Sequence, residues 1–202
     1  MNKLILLGNF TKSWVKAIYL YLCRHGQSLY NACGKLQGQL ESPLTFEGIE
    51  QATLLSIQAK KWGISQLISS HLGRARQTAD ICAKALNLPV EVQSGFEERH
   101  YGDWQGLLIH QLHSFKRFKQ GCYSHPDWAP CDGAESTTDV RIRMTSQLKL
   151  LSQKHIKGNV LLISHGDAID CLLSMFTTPK NMTNAQHLRL VKTADSFIWD
   201  KQ

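Results

Sequence analysis

The sequence predicts an α/β fold with a parallel central sheet, and two observations carry that expectation. Short β-prone apolar runs at 17–22, 64–70 and 160–163 each stop abruptly at a polar turn. Each is followed, directly or after one loop, by a stretch with apolar residues spaced three and four apart. Strand followed by helix is the crossover pattern that joins parallel strands.

The elements follow in order. The first run leads into Cys23-Arg24-His25-Gly26-Gln27-Ser28, where Gly26 permits close approach of the backbone. Residues 27–43 hold Asn31, Gly34, Gly38 and Pro43, too many breakers for a regular element. Thr45 is placed to cap a helix carrying Phe46, Ile49, Ala52, Leu55 and Ala59. A buried strand at 64–70 opens a second helix that runs to Leu86 and stops before Pro89. A short strand is expected at 90–92, then a glycine-punctuated loop at 96–106 and a helix at 107–118. After an irregular stretch with Pro126, Pro130 and Gly133, the residues Val140, Met144, Leu148 and Leu151 mark a long amphipathic helix. Residues 160–163 form the clearest buried strand, ending at Ser164-His165-Gly166-Asp167 before an apolar helix at 168–176. Two last strands are expected at 188–192 and 197–199, turned at Ala194-Asp195.

The 202 residues, 43% hydrophobic, suit one domain over 17–202, with 1–16 as an N-terminal extension. The +7 formal charge points to an anionic partner. Lysines and arginines are scattered, Lys116-Arg117-Phe118-Lys119 being the densest cluster, so nucleic acid is not the expected partner. No apolar run reaches the roughly 20 residues that span a bilayer, so no membrane partner is expected either. The six cysteines form no Cys-x-x-Cys pair and fit a reducing cytosol, which makes the expected location cytoplasmic. Cys122, His125 and Cys131, or His110 with His113, lack a structural zinc spacing, so neither a metal nor another cofactor is expected.

In a parallel sheet the carboxyl ends of the strands share one edge, where ligands bind. Three such ends deliver Arg24 with His25, Arg74, and His165. Two guanidinium forks and two imidazoles suit a doubly charged anion such as a phosphate ester. No Gly-x-x-x-x-Gly-Lys loop is present to suggest a nucleotide.

Six strings in order carry a resemblance. They are Arg24-His25-Gly26, the Leu44-Thr45-x-x-Gly48-x-x-Gln51-Ala52 helix start, and Ser69-Ser70 with Arg74-Ala75-Arg76-Gln77-Thr78-Ala79. Glu98 ahead of a Gly-x-Trp-x-Gly run, Gly133-x-Glu135-Ser136 and Ser164-His165-Gly166 complete them. Over roughly residues 17–200 the chain resembles the histidine phosphatase superfamily, also called the phosphoglycerate mutase-like family. The resemblance implies a three-layer α/β/α sandwich around a mostly parallel sheet. It implies that His25 accepts the phosphoryl group, that Arg24, Arg74 and His165 hold its oxygens with Asn31 as helper, and that Glu98 is the general acid. Glu97 is the competing carboxylate, and Arg76 is expected in an ion pair or cap.

Within that resemblance two hints disagree. The string Glu98-Arg99-His100-Tyr101-Gly102 looks like the mutase branch, and Trp104-Gln105-Gly106 the phosphatase branch. Mutases that resemble this chain carry a longer insertion supplying cations for a second phosphate. Here Lys116, Arg117 and Lys119 are all that remain, which favours hydrolysis of a small phosphomonoester, with a phosphoglycerate mutase as the second reading. A non-catalytic phospholigand-binding module is disfavoured by the intact His25, Glu98 and His165. The alcohol half of the substrate falls to loops 27–43 and 107–134.

Overall fold

Two strands at the middle of the sheet set the architecture. Tyr19–Arg24 (β1) and Asn159–Ser164 (β4) run parallel, paired from Leu20 opposite Val160 to Arg24 opposite Ser164. The computed structural model describes residues 17–179 and 181–200, so the expected extension at 1–16 lies outside the described residues. Ile64–Ser70 (β2) lies parallel on the far side of β4, and Val90–Gln93 (β3) lies parallel on β2. His187–Lys192 (β5) adds antiparallel to β1, and Phe197–Trp199 (β6) antiparallel to β5. The order is β3-β2-β4-β1-β5-β6, a mostly parallel α/β sheet as expected.

The apolar runs are nearly continuous because helices cover both faces. The two-residue period of a strand sends Leu20, Leu22, Val160 and Leu162 to one face, where they meet Thr137–Gln153 (α5) and Gly166–Leu173 (α6). There Val140, Met144, Leu148 and Leu151 supply the α5 stripe read from the sequence. Cys23, Leu67, Leu161 and Ile163 point to the other face and pack on Phe46–Ala59 (α2) and Gly73–Leu86 (α3). Those helices approach through Ala59, Ala75 and Ala79. The result is the three-layer sandwich.

Three expectations need correction. Residues 107–118 are not one helix; a 3-10 turn at Ile109–Gln111 precedes a short helix, Phe115–Gly121 (α4). The cause is tertiary: Gly106 and Ile109 donate to the carbonyls of Leu36 and Gly34, and Leu36 donates to that of Leu107. Backbone groups committed across to 34–36 cannot close a helix. Residues 27–43 hold one regular element after all, Leu29–Ala32 (α1), because Ser28 and Asn31 form a reciprocal capping box upstream of the glycines. The helix expected at 168–176 starts earlier, since the Glu98 carboxylate accepts from the backbone N–H groups of Asp167 and Ala168 and so satisfies its first turn. It gives way after Leu173 to turns in which Phe176 donates to the Leu173 carbonyl.

The turn after β1 is pressed onto the first turn of α2. A Cβ on Gly26 would lie 2.3 Å from the Gly48 carbonyl oxygen, and one on Gly48 would lie 2.1 Å from that of Gln27. Thr45 N–H donates to the Gln27 carbonyl at 2.9 Å, while Gln27 N–H donates to Gln51 Oε1 at 2.8 Å. The spacing of Thr45, Gly48 and Gln51 therefore makes the seat of the His25 turn. Because backbone meets backbone there, Gly48→Ala should lower stability by roughly 1–3 kcal/mol, the range for overpacking. Urea unfolding measures it, and an unchanged midpoint would contradict the contact.

Candidate active site

His25 and His165 leave the ends of neighbouring strands, so their rings lie 5.1 Å apart between centroids. The His25 backbone N–H donates to the Ser164 carbonyl at 3.0 Å, which ties the two strand ends together. His25 Nδ1 lies 2.6 Å from the Gly26 carbonyl oxygen. A carbonyl only accepts, so the ring proton belongs on Nδ1 and the lone pair on Nε2. That lone pair accepts from Arg74 Nε at 3.1 Å. Burial first, then the charges of Arg74 and Arg24, hold the His25 pKa well below its ordinary value. The imidazole is neutral at physiological pH.

His165 is fully buried, and Nε2 lies 2.9 Å from Ser70 Oγ. Ser70 Oγ accepts from Leu72 N–H and keeps a proton that it can donate to Nε2; in that pairing the His165 N–H sits on Nδ1. His165 Nδ1 is buried with no hydrogen-bond partner among the described residues, and so is Arg24 Nε. Burial and the Arg74 charge push the His165 pKa well below the ordinary value. Arg24 lies against Gly166, where a Cβ would come within 3.1 Å of Nε, and its Nη1 donates to the Met182 carbonyl at 2.5 Å. Arg74 Nη1 and Nη2 fork onto the carbonyls of Leu40 and Gly38 at 3.1 and 2.7 Å. Burial lowers its pKa to about 10, well above neutrality, so it stays a cation.

Arg24, His25, Asn31, Arg74 and Glu98 line one cavity of about 240 Å³, with His165 against the His25 ring behind it. The Glu98 carboxylate caps α6, accepting from Ala168 N–H at 2.8 Å, Arg99 N–H at 2.9 Å and Asp167 N–H at 3.2 Å. Glu97 turns away; its carboxylate takes Gly95 N–H at 2.5 Å and faces His71. Asn31 reaches the cavity from α1, its Oδ1 shared between Ser28 N–H and Asn184 Nδ2. Arg76 is exposed on α3 and forms no ion pair among the described residues, contrary to expectation.

The sequence reading missed Asp167. Its Oδ2 accepts from Arg99 Nε at 2.5 Å and Tyr101 OH at 2.8 Å, and its Oδ1 from Tyr123 OH at 3.0 Å and from Lys119 Nζ. Burial alone would raise its pKa, but Lys119 and Arg99 outweigh burial and hold the carboxyl below the usual range. The available signal was a pair of acidic residues, Asp167 and Asp170, in an otherwise apolar helix. Elsewhere, Cys122 packs with Leu36, Tyr101 and Phe118, and Cys131 Sγ donates to the Tyr101 carbonyl. Among the described residues no three His, Cys, Asp or Glu side chains converge as metal ligands, and no helix is long and apolar enough to cross a membrane.

Comparison with known proteins decides the family, because the model of the histidine phosphatase superfamily (branch 1) matches residues 20–197. The chain belongs to that superfamily. Among similar superfamily proteins is a probable phosphoglycerate mutase, GpmB, of Yersinia pestis, 35% identical over 158 residues that cover 78% of this chain and 74% of the relative. A mycobacterial glucosyl-3-phosphoglycerate phosphatase solved with VO3 has a TM-score of 0.80 at 28% identity, covering 92% of this chain and all of that one. A Bacillus anthracis phosphoglycerate mutase has a TM-score of 0.79 at 24% identity over 91% and 92% of the two chains, a likeness of fold. Enzymes of the superfamily are phosphatases or mutases.

The neutral histidines give a pH signature. An unfolded histidine titrates near pH 6.5, so below that pH the unfolded chain binds protons that folded His25 and His165 refuse. Their contribution to stability is complete above about pH 6.5 and declines as pH falls toward their lowered folded values. His165→Gln removes one such group and should flatten the acid slope of unfolding free energy by up to about 1.4 kcal/mol per pH unit. Urea titrations at several pH values measure it; an identical slope in the variant would show that folded His165 protonates normally.

Proposed function

We propose that this chain is a phosphomonoesterase that hydrolyses a small phosphorylated metabolite through a phosphohistidine on His25. The observation that carries the reading is the state of the His25 ring. Nδ1–H is fixed on the Gly26 carbonyl, burial keeps the ring neutral, and Nε2 is left as a nucleophile in a cavity lined by two guanidiniums and the Glu98 carboxyl group. The two buried, unpartnered polar atoms are Arg24 Nε, an N–H suited to a phosphate oxygen, and His165 Nδ1, which is a second such donor when Ser70 donates to Nε2. Arg74 Nε, which occupies the lone pair in the free site, passes to a phosphate oxygen when substrate enters. Asn31 adds a polar contact at the rim.

The chemistry balances in two displacements. His25 Nε2 bonds to phosphorus as the ester P–O bond breaks, and Glu98 gives its proton to the departing alkoxide. The N-phosphorylated ring carries a positive charge, which the Gly26 carbonyl on Nδ1–H stabilises. Glu98, now a carboxylate, takes a proton from water as the water oxygen bonds to phosphorus and the P–N bond breaks. Inorganic phosphate leaves and His25 is neutral again. Every step uses side chains of this chain, so turnover needs no metal and survives a chelator. All six cysteines are unpaired, which supports work in a reducing cytosol, and a single family model over residues 20–197 supports one domain over 17–202.

The mutase reading keeps one specific support, the printed name of the Yersinia pestis relative. Against it, Lys119, the one residue of Lys116, Arg117 and Lys119 that lines the cavity, is committed to Asp167, which leaves Lys35 as the further lysine on the lining for a second anionic group. The mycobacterial phosphatase is the corresponding support for hydrolysis. The deciding assay measures phosphate release from a panel of phosphomonoesters beside interconversion of 2- and 3-phosphoglycerate. Release without interconversion is expected, with kcat in His25→Ala down at least roughly 1,000-fold. Interconversion as the main activity would overturn hydrolysis, and appreciable turnover by His25→Ala would remove the nucleophile.

A further inference from the structure

The Gly133-x-Glu135-Ser136 string is the one motif that the proposed chemistry leaves without a part. Its glutamate has a definite partner. Arg143, two turns along α5, places Nε 2.7 Å from Glu135 Oε1 and Nη2 3.0 Å from Oε2, a two-point pair with both side chains mostly buried. The rest of the guanidinium is spent on one loop. Nη1 donates to the carbonyls of Glu97 and Gly95 at 2.8 and 3.1 Å, and Nη2 to that of Glu98 at 3.1 Å. Glu135 holds the same loop from its other end, accepting His100 N–H at 2.8 Å while its own N–H donates to the His100 carbonyl at 2.8 Å.

From this geometry we infer that Arg143, set by Glu135, is a positioning residue for Glu98. The inference rests on the reading of Glu98 as proton donor. Glu98 is gripped at two levels: the carboxylate by the first turn of α6, and the main chain by Arg143 from α5 and by Gln39 Nε2 at 2.9 Å. The α6 amides fix where the carboxylate can sit only if the backbone beneath stays at one height. Three carbonyls on one rigid fork fix that height, which a lysine ammonium of similar charge cannot do. Misplacement of a proton donor by about 1 Å costs on the order of 100-fold in the step it serves.

A positioning role for Glu98 has a signature that simple destabilisation lacks. A poor leaving group needs the donated proton, whereas an activated aryl alkoxide does not. Arg143→Lys should therefore lower kcat/KM for glycerol phosphate by roughly 10- to 100-fold, yet lower it for 4-nitrophenyl phosphate by less than about 3-fold. Glu135→Gln, which keeps the shape of the pair and removes its charge, should show the same split more weakly. In a Glu98→Gln background Arg143→Lys should add little, since the group it positions is gone. An equal loss on both substrates, or none on either, from folded Arg143→Lys and Glu135→Gln would overturn the inference. Should Glu98→Gln itself depress both substrates equally while Arg143→Lys discriminates, the proton donor is another residue of this loop and the assignment to Glu98 falls.

Discussion

Everything at the site depends on the parallel pairing of β1 with β4 in the register that sets Arg24 opposite Ser164. With that register, both strands end at the same level and release His25 and His165 side by side. A slip of one residue would turn each side chain to the opposite face of the sheet. The register is fixed because both faces are buried: Leu20 and Leu22 belong to the α5–α6 side, Cys23 to the α2–α3 side, with matching residues on β4. The same apolar alternation that drives folding thus aligns the two imidazoles. Ser70, ending β2 on the other flank of β4, then holds the His165 ring through Nε2.

Electrostatics explain why this edge suits a dianion. Arg24, Arg74 and Arg99 are cations with little access to water, and a buried cation needs a counter-charge. Arg99 has Asp167, with Tyr101 and Tyr123 completing the carboxylate's shell. Arg74 instead spends its fork on two neutral carbonyls and a neutral imidazole. Glu98 and Glu41 act on Arg74 only through space, and under the proposed function a phosphate ester would add its negative charge where water screens it weakly.

Much of this was legible because it is local. Arg24-His25-Gly26 and Ser164-His165-Gly166 stand at the ends of plain apolar runs, and the helices over 46–59 and 137–153 announce themselves by period. The Asp167 hub was not legible, because its partners come from segments far away along the chain and only the fold joins them. The path of 107–118 failed for a related reason: leucine and histidine spacing suited a helix, but the backbone of 106–109 is claimed by 34–36. Asn31 and Glu98 were singled out through the resemblance, yet their capping of α1 and α6 could be seen only in three dimensions.

The central claim is a covalent phosphoryl group on His25, and it can be tested where the second displacement is slowed. Glu98→Gln mixed with an activated aryl phosphate should still transfer the phosphoryl group but lack the base for water, so the intermediate should accumulate. After an alkaline quench, peptide mapping by mass should find one phosphoryl group per chain on the peptide that carries His25, stable to base and lost in acid. Release of the aryl alcohol with the chain unlabelled, or with the label on another residue, would contradict the account.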